Sequence, residues 1–560
     1  MIEAHNKNTT RKNSVVQKLF YDDSKEAKEL LNPQQEKCEQ RAQWDSFMEY
    51  FLSIIGFVID LGNVWRFPTV CYQNGGGAFL IPFLVCLFVI GMPCMYLELA
   101  AGQYFQQGNI SIWTKINPYM KGIGFAVVIV NILMLSYYNT LQAYALYYLA
   151  FSFQSPLPWS DCNRSWNTNS CHLRVNDTNT SYDINSPASE FFTHKLLGSY
   201  KSSGFNDLKS IKPDILLALI LVFILTTSCL IGGIKTSGKA VYVTALLPYV
   251  CLAVLIFQSL LLDGSYEGLK YYLTPKFDKI FELKVWLAAS VQVFFSLGPG
   301  FGVLITYSSY TKKNTNIKNL TILCSIVNCL TSLLYGVVVF AGLGYMAKRL
   351  SVDINYFLKD GIGLVYVVYP EIISTFKMAY IFAIVFFIML ITLGMDSAFA
   401  GMEGLFTAIT DEFPICRKYA LTTRFLISVI PFLTSLPTVT YGGIYVVQWM
   451  DTFAISPSVL VVVCVETVTI SWFYGLDKFC KNIKEMNSRT PYLNWRISWK
   501  YLCPSILFLI VVLDILFFEG LQYGSYIYPD WSVNFGYLIN IFALLPIPGY
   551  ALFCLLKNKL

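Results

Sequence analysis

The sequence predicts an all-α integral membrane protein, and three features of its composition and patterning support that fold class. Of its 560 residues, 55% are hydrophobic and only 14% are charged, whereas a soluble domain carries about a quarter charged residues. The apolar residues form long blocks, such as Ala78–Met92 and Val241–Leu262, which approach the ~20 residues needed to cross a bilayer. Glycine and proline interrupt two of the blocks. This composition excludes a soluble enzyme, a nucleic-acid-binding protein and a disordered scaffold.

The histidines and cysteines narrow the chemistry further. The three histidines all lie in polar stretches, so histidine-ligated haem, zinc or iron within the membrane is excluded. Most of the 15 cysteines lie inside apolar blocks, where small buried hydrophobic side chains are the simpler interpretation. We expect no catalytic residues and no enzymatic activity.

The first segment, residues 1–45, is polar and lacks the apolar core and cleavage site of a signal peptide. We expect it to be a cytosolic tail, followed by one membrane domain over residues 46–560. Apolar runs in that domain predict about twelve membrane-spanning helices. They lie near residues 46–72, 77–103, 122–152, 213–232, 240–263, 284–309, 317–347, 376–408, 421–440, 443–474, 499–519 and 534–556.

The loops alternate in charge, which predicts the orientation. Basic residues concentrate in the loops on one side of the membrane, and this side is expected to be the cytoplasm. These residues are Lys115, Lys121, Lys235, Lys239, Lys312, Lys313, Lys318, Arg417, Lys418 and the lysines of 478–484. Both termini are then cytoplasmic, and the long loop 154–213 is extracellular.

The content of this loop agrees with that orientation. Cys162 and Cys171 have a spacing that suits a disulfide in an oxidising compartment. Glycosylation sequons begin at Asn163, Asn176 and Asn179.

Glycine and proline interrupt the first and sixth predicted spans. The interruptions are Gly56-Phe-Val-Ile-Asp60-Leu-Gly62-Asn63 and Ser296-Leu-Gly298-Pro299-Gly300-Phe301-Gly302. Irregular backbone at membrane depth lines a cavity or is packed in protein. Two broken helices at corresponding positions predict a 5+5 inverted repeat around a central site, a LeuT-like arrangement. The repeats would cover about 46–263 and 284–474, followed by two further helices over 499–556.

Asp60, in the first interruption, is the strongest single indication of function. A carboxylate at the centre of a membrane helix costs about 2.5–3.5 kcal/mol, so it must be paired or hydrated. A structural ion pair with another span is one interpretation. The spans contain almost no Lys or Arg near their centres, which favours a ligand cation such as an organic amine.

A second acid, Asp396, is followed by Ser397 in the eighth span. Together with carbonyls these oxygens suit a small cation such as Na⁺, and a bent helix with a solvated acid is an equal alternative. Phe57, Tyr137, Tyr138, Phe295 and Phe301 lie beside the two interruptions. Rings there could stack on an aromatic ligand and stabilise its ammonium. Glu98 and Glu466 are expected to be structural.

Several longer motifs resemble the neurotransmitter:sodium symporter family. They are Asp60-Leu-Gly-Asn63-Val-Trp-Arg66-Phe-Pro68, Tyr72-Gln-Asn-Gly-Gly-Gly77, Ser136-Tyr-Tyr-Asn139 and Phe295-Ser-Leu-Gly-Pro-Gly-Phe301-Gly. An acid at position 60 indicates the monoamine branch. The segment Leu157-Pro-Trp-Ser-Asp-Cys162 is similar to the serotonin-transporting members, whereas Phe57 and Ala398 are typical of catecholamine transport.

The resemblance implies sodium- and chloride-coupled monoamine uptake by alternating access, with Na⁺ and Cl⁻ as bound ions. The implied substrate site comprises Asp60, Phe57, Met134, Tyr138, Phe295, Phe301, Ser397 and Gly401. One implied sodium site comprises Val58, Asn63, Ser296 and Asn328. The other comprises Gly56, Ile59, Leu393, Asp396 and Ser397.

The resemblance also implies a chloride site and two gates. Chloride would be held by Gln292, Ser296, Asn328 and Ser332, with Phe83 in place of the family's tyrosine ligand. The outer gate would be Arg66 with Asp451, and the inner gate would be formed by Arg41, Trp44, Tyr310 and Asp411.

The expected substrate is serotonin, and a catecholamine such as dopamine or noradrenaline is the alternative. An amine receptor also binds amines through a membrane-embedded Asp, but about twelve spans with two interruptions argue against it. The expected location is the plasma membrane, within the lipid bilayer. No nucleic-acid partner is expected, and homo-oligomerisation stays open.

Overall fold

The computed structural model describes residues 41–171, 186–354, 361–518 and 520–557. The chain divides into two units, Met1–Ala42 and Gln43–Leu560. Most of the predicted cytosolic tail therefore lies outside the described residues, and the fold below is that of the second unit.

The second unit is built almost entirely of apolar helices, numbered here in chain order. They are α1 (Phe47–Val58), α2 (Leu61–Val64), α3 (Arg66–Gln73), α4 (Gly77–Phe105), α5 (Pro118–Phe151), α6 (Pro213–Leu230), α7 (Ile234–Leu260), α8 (Leu283–Leu297), α9 (Val303–Ser309), α10 (Ile317–Leu350), α11 (Leu364–Ser374), α12 (Ala379–Glu412), α13 (Ala420–Val439), α14 (Gly443–Asn487), α15 (Leu493–Leu516) and α16 (Asp530–Lys557). Within the described ranges, ten helices are long and apolar enough to cross a membrane.

Shorter elements connect these helices. They include helices Ser111–Ile116, Pro187–Glu190, Phe191–Leu197, Ser265–Leu273 and Pro414–Lys418, and the antiparallel strands β1 (Gln522–Tyr523) and β2 (Tyr526–Ile527). The all-α membrane class predicted from composition is confirmed. The number of crossings and the inverted repeat stay predictions.

The first predicted span is broken between α1 and α2, and its own side chains stabilise the break. Ile59 is extended and ends α1. Asp60 then caps α2, because its Oδ1 accepts a hydrogen bond from the Gly62 N–H (2.9 Å). In return, Asn63 Oδ1 accepts one from the Asp60 N–H (3.0 Å). This reciprocal capping box begins a new helix in the middle of the predicted span.

The sixth predicted span is broken between α8 and α9, where glycines adopt conformations that other residues disfavour. Gly298, Gly300 and Gly302 all have positive φ, at 66°, 86° and 72°. Gly298 ends α8 by donating its N–H to the Phe294 carbonyl (3.0 Å). A Cβ at position 298 would lie only 2.5 Å from the ring of Phe57, so glycine also permits close approach to α1.

The two broken helices lie within the surrounding long helices. Helix α1 packs against α7, α10 and α12, whereas α9 packs against α4 and α12. Helix α5 packs against α6, α12 and α13. The breaks are therefore surrounded by protein, which satisfies the requirement for irregular backbone at membrane depth.

Some helix boundaries differ from the predicted spans. Helix α14 continues to Asn487, beyond the predicted end at 474, because its last turns are amphipathic: Phe479 and Ile483 are buried while Lys481 and Lys484 are exposed. The apolar run from which the span is predicted ends where these lysines begin, so the helix is longer than the run. Helix α15 likewise begins at Leu493 instead of 499.

The predicted disulfide between Cys162 and Cys171 is present. In the same loop Asn163 is exposed, as its sequon requires. The sequons at Asn176 and Asn179 lie outside the described residues.

Candidate functional site

A narrow cavity of ≈ 50 Å³ lies between the two helix breaks, α5 and α12. Most predicted substrate residues line it. The full lining is Phe57, Asp60, Gly62, Trp65, Arg66, Met134, Tyr137, Tyr138, Leu141, Gln292, Phe295, Ser296, Gly298, Phe301, Ser397 and Asp451. Gly401 is the exception among the predicted residues, because it lies one helical turn beyond Ser397, against the side chains of Asn131 and Leu135.

Asp60 and Asp451 are the two acids that line this cavity, and Asp60 lies at the break of the first span. One carboxylate oxygen accepts the capping hydrogen bond from Gly62. Among the described residues, no Lys or Arg forms a salt bridge with Asp60 within 4 Å. Arg66 lines the same cavity but forms its salt bridge with Asp451. A carboxylate that lines a mostly apolar cavity and has no salt-bridge partner among the described residues is suited to a cationic ligand.

Aromatic rings surround the same cavity. Phe57, Tyr138, Phe295 and Phe301 contribute side chains from both broken helices and from α5. The Arg66 guanidinium carbon lies 3.7 Å from the centroid of the Phe295 ring. Phe295 therefore already has a cation on one face, which shows that a positive group can approach this ring closely.

The residues of the first predicted sodium site form one hydrogen-bonded cluster. The Asn63 amide nitrogen donates to Asn328 Oδ1 (2.6 Å) and to Ser332 Oγ (2.7 Å). The Asn328 amide nitrogen in turn donates to Ser296 Oγ (2.7 Å). Val58 is the last residue of α1. The cluster contains the oxygens of Ser296, Asn328 and Ser332, while the Asn63 oxygen accepts from the Asp60 N–H. Amide and hydroxyl oxygens are hard donors, which fit Na⁺ in chemistry.

The second predicted sodium site lies where α1 approaches α12. Gly56, Ile59, Leu393 and Asp396 line one small cavity of ≈ 10 Å³. A Cβ at Gly56 would lie 2.4 Å from Asp396 Oδ2, so only glycine leaves room for the carboxylate. Ser397 Oγ lies 3.5 Å from the Phe57 carbonyl oxygen. Carboxylate, hydroxyl and carbonyl oxygens therefore converge here, and the donor set fits a small cation.

The predicted chloride residues lie beside the first sodium cluster. Ser296, Asn328 and Ser332 belong to that cluster. Gln292 lies one turn before Ser296 on α8. Phe83 is 1% exposed and packs edge-on against the Phe67 ring at 5.1 Å. Three of the four predicted chloride residues therefore meet in one polar cluster, whereas the Phe83 side chain carries no hydrogen-bond donor.

The predicted outer gate separates the central cavity from a wider vestibule of ≈ 460 Å³. Arg66, Gln292 and Asp451 line both spaces. Arg66 Nη1 lies 3.9 Å from Asp451 Oδ1, and the two side chains are 23% and 16% exposed. The same Asp451 oxygen accepts a hydrogen bond from the Tyr137 hydroxyl (3.0 Å). Three side chains from α3, α5 and α14 therefore meet at this boundary.

Trp44, a predicted inner-gate residue, is hydrogen-bonded to α9 and to the residue that follows it. Its side chain is 7% exposed. Its indole N–H donates to the Tyr307 carbonyl (3.0 Å), and its backbone N–H donates to the Tyr310 carbonyl (3.2 Å). The Tyr310 hydroxyl lies 2.7 Å from Thr407 Oγ1 on α12. Trp44 is therefore held against the end of α9, and Tyr310 joins that end to α12.

Of the other predicted inner-gate residues, Asp411 lies at the end of α12. Its carboxylate accepts hydrogen bonds from the Gly108 N–H (2.6 Å) and from Arg417 Nη2 (3.1 Å). Arg41 belongs to the first unit of the chain.

The sequence does not predict the hydroxyl partners of Asp451 and Asp396. Tyr137, predicted only as a ring beside the breaks, donates to Asp451. The Thr244 hydroxyl donates to Asp396 Oδ1. No local signal could have identified Thr244, because it lies on α7, remote in sequence from Asp396. Glu98, expected to be structural, accepts a hydrogen bond from the Gly300 N–H (2.6 Å) and so supports the break between α8 and α9.

Comparison with known proteins gives one family. The model of the sodium:neurotransmitter symporter family matches residues 41–558. A sodium-dependent serotonin transporter from Drosophila melanogaster is 44% identical over 517 residues, 92% of this chain and 82% of the relative. A sodium-dependent dopamine transporter from Bos taurus is 41% identical over 528 residues, 93% of this chain and 76% of the relative. The resemblance inferred from the motifs is confirmed, and these relatives are transporters, not enzymes.

Proposed function

Because the chain belongs to the sodium:neurotransmitter symporter family and is of its monoamine type, we propose that it couples sodium influx to serotonin uptake. The observation that carries this proposal is Asp60. Its carboxylate lines a cavity rich in aromatic rings and has no salt-bridge partner among the described residues. A primary ammonium would supply the missing charge, and an attached aryl ring would pack among Phe57, Phe295 and Phe301.

Sodium, when bound, supplies the driving force, since one charge moving through 100 mV is worth about 2.3 kcal/mol. We propose that one sodium ion is held by Val58, Asn63, Ser296 and Asn328. A second sodium ion would be held by Gly56, Ile59, Leu393, Asp396 and Ser397. Both sets join α1 to another helix, so each would favour the conformation in which those helices are together.

Alternating access would require one gate on each side of the central cavity. The outer gate, towards the vestibule, would be formed by Arg66, Asp451 and Tyr137. The inner gate, on the predicted cytoplasmic side, would be formed by Trp44 and Tyr310 together with Arg41 and Asp411. Chloride would be held by Gln292, Ser296, Asn328 and Ser332. We further propose that the protein lies in the plasma membrane with both termini cytoplasmic.

Uptake of a catecholamine is the second candidate. Phe57 and Ala398 favour it by resemblance, and the bovine relative is a dopamine transporter. The serotonin transporter is 44% identical to this chain and the dopamine transporter is 41% identical. This small difference in sequence identity does not distinguish the two substrates. A competition experiment with serotonin, dopamine and noradrenaline against one labelled amine would rank them. Serotonin should compete at the lowest concentration, and a lower half-maximal concentration for dopamine would contradict the serotonin assignment.

The principal test is radiolabelled serotonin uptake into cells expressing the chain, with sodium or with an organic cation in its place. We expect accumulation that is lost without sodium. An amine receptor would bind serotonin without accumulating it. Asp60→Asn should abolish uptake at low substrate concentration while surface expression is retained. Asp278→Asn, at an exposed acid outside the site, is the control and should transport normally.

A further inference from the structure

One acid in an apolar helix lies outside the central cavity and both proposed sodium sites. Asp514 lies on α15, within the otherwise apolar run Ile506–Phe518, and is half-buried. Among the described residues it forms no salt bridge within 4 Å. An ionisable residue inside an apolar span is costly and rare, so we expect it to have a function and a charged partner.

The position of Asp514 within α15 adds to this cost. The α-helical part of α15 ends at Leu516, so Asp514 lies in its last turn. The free carbonyl groups at the C-terminus of a helix give that end a partial negative charge, which favours cations and disfavours an acid. The carboxylate therefore needs a positive charge from another helix.

That positive charge is available in the vestibule. Asp514 lines this space together with both residues of the proposed outer gate, Arg66 and Asp451. Asp451 and Asp514 are the acids among its described lining residues, and Arg66 and Lys284 are the basic ones. The charge of Arg66 acts on the Asp514 carboxylate, although the two side chains form no salt bridge in this structure.

Arg66 is held loosely at the gate. Its Nη1 lies 3.9 Å from Asp451 Oδ1, which is too far for a hydrogen bond. Its guanidinium carbon lies 3.7 Å from the centroid of the Phe295 ring, at the central cavity. The same Asp451 oxygen already accepts a hydrogen bond from the Tyr137 hydroxyl (3.0 Å). Arg66 can therefore move away and leave Asp451 with a hydrogen-bond donor.

We propose that Asp514 is a positioning residue that receives the Arg66 guanidinium when the outer gate opens; this rests on the proposed outer gate. With Arg66 over Phe295 and beside Asp451, the central cavity is closed towards the vestibule. Opening moves the guanidinium into the vestibule, where the lining is mostly apolar and Asp514 supplies a second carboxylate. Arg66 then has an acidic partner in both conformations, and the movement does not leave a partly desolvated cation without one. Loss of Asp514 therefore shifts the equilibrium towards the closed gate.

The test measures how often the outer gate opens in the whole chain in cell membranes. Leu141 lines the central cavity and is 3% exposed, so a cysteine introduced by Leu141→Cys should react with a membrane-impermeant thiol reagent only when the gate is open. The chain without this cysteine gives the background. Asp514→Asn should slow the labelling roughly twofold to fivefold, the effect of a partly exposed ion pair. Asp514→Glu, which keeps the charge, should be labelled at nearly the parent rate.

Three further substitutions separate the role of Asp514 from the gate itself. Asp451→Asn should speed the labelling, because it removes the partner of Arg66 in the closed gate. In an Arg66→Ala background, both acid substitutions should have no effect, because their common partner is absent. Asp530→Asn on α16 is the matched control and should be labelled at the parent rate, since Asp530 is an exposed acid outside the described vestibule lining.

Unchanged or faster labelling in Asp514→Asn would overturn the proposal. An equal loss in Asp514→Glu would also overturn it, because the charge would then not be the cause. So would an effect of Asp514→Asn that persists in Arg66→Ala, because another group, such as Lys284, would then be the partner of Asp514. If Asp451→Asn left the labelling unchanged, the proposed outer gate would itself be contradicted, and the role of Asp514 with it.

Discussion

Asp60 illustrates how one side chain serves both the backbone and the site. As the N-cap of α2 it stabilises the break with one oxygen, and as a cavity residue it is proposed to bind the amine. A substitution by Asn keeps a side-chain oxygen for the cap but removes the charge. Loss of uptake in a well-expressed Asp60→Asn protein would therefore report on the charge and not on the helix start.

At the residue scale, the outer gate can be tested by exchanging charges. Reversing Arg66 or Asp451 alone should reduce uptake, and reversing both should recover part of the loss. Because the pair is partly exposed and 3.9 Å apart, its coupling should be about 1 kcal/mol, or about fivefold in rate. Recovery should be incomplete, since an arginine at 451 no longer accepts the Tyr137 hydrogen bond. The measurement is a double-mutant cycle on initial uptake rates.

The exposed pair Lys279–Glu282 (2.7 Å) is the control for this cycle. Exchanging its charges should leave uptake unchanged. Strictly additive losses at Arg66 and Asp451 would show that the two do not act together.

Phe83 carries a second prediction at this scale, concerning chloride. We expect uptake to require chloride, but with an affinity weakened severalfold to about a hundredfold by the missing hydroxyl. One hydrogen bond to a charged group is worth roughly 1.5–3 kcal/mol, and a neutral one roughly 0.5–1.5. Phe83→Tyr should lower the half-saturating chloride concentration in an uptake titration. Phe79→Tyr, at the neighbouring buried ring, should not lower it. An unchanged value in Phe83→Tyr, or uptake independent of chloride, would contradict the prediction.

Glu190, in the loop 154–213, leads to a prediction about pH. Burial raises its pKa, but hydrogen bonds from the side chain and backbone of Thr168 and from Asn167 lower it, and the net pKa lies below the ordinary value. The ionised carboxylate therefore stabilises the folded loop above the ordinary pKa of about 4.3, and this contribution is lost as the pH falls through the lower folded value. Glu190→Gln should lower the melting temperature at pH 7.

The difference in melting temperature between wild type and Glu190→Gln should shrink as the pH falls below about 4. Glu282→Gln, at an exposed acid, should match wild type throughout. A difference that stayed constant with pH would show that the carboxylate charge is not what stabilises the loop.

At the scale of elements, hydroxyl pairs join α5 to α13. Ser136 Oγ and Thr434 Oγ1 lie 2.5 Å apart, and Thr140 and Thr438 repeat this contact one turn later. Hydrogen bonds between membrane helices average about 0.6 kcal/mol. A double-mutant cycle with Ser136→Ala and Thr434→Val should give a coupling of that order in unfolding free energy.

Thr392→Val is the control for the hydroxyl pairs. Among the described residues, this hydroxyl bonds only within its own helix, to the carbonyls of Ile388 and Met389. It should show no coupling to Thr434→Val. A coupling of zero between Ser136 and Thr434 would mean that packing alone holds the two helices together.

At the scale of the whole molecule, the proposed sodium sites tie the broken helices to α10 and α12. Sodium should therefore raise the melting temperature relative to potassium at equal ionic strength. Binding to the folded state contributes about 2.7 kcal/mol at a hundred times the dissociation constant. Asp396→Asn should lose part of this stabilisation, because its carboxylate is the only charged member of the proposed second site. Asp278→Asn should keep it, and an equal shift in both variants would contradict the assignment.

The sequence by itself determined the membrane class, the positions of the two breaks and the place of Asp60 in the first of them. These properties depend on the residue type and its near neighbours: apolar runs partition into a bilayer, glycine and proline interrupt helices, and a membrane-embedded acid needs a cation. The capping box of Asp60 and Asn63 is equally local, since its partners lie three residues apart.

Only the tertiary structure decided which polar groups meet. Tyr137 and Asp451 are separated by 314 residues, Asn131 and Gly401 by 270, and Thr244 and Asp396 by 152. Such contacts depend on how whole helices pack and rotate, which residue patterns within one helix do not specify. Tyr137 as a partner of Asp451, and Thr244 as a partner of Asp396, therefore became visible only once α5, α7, α12 and α14 were placed beside one another.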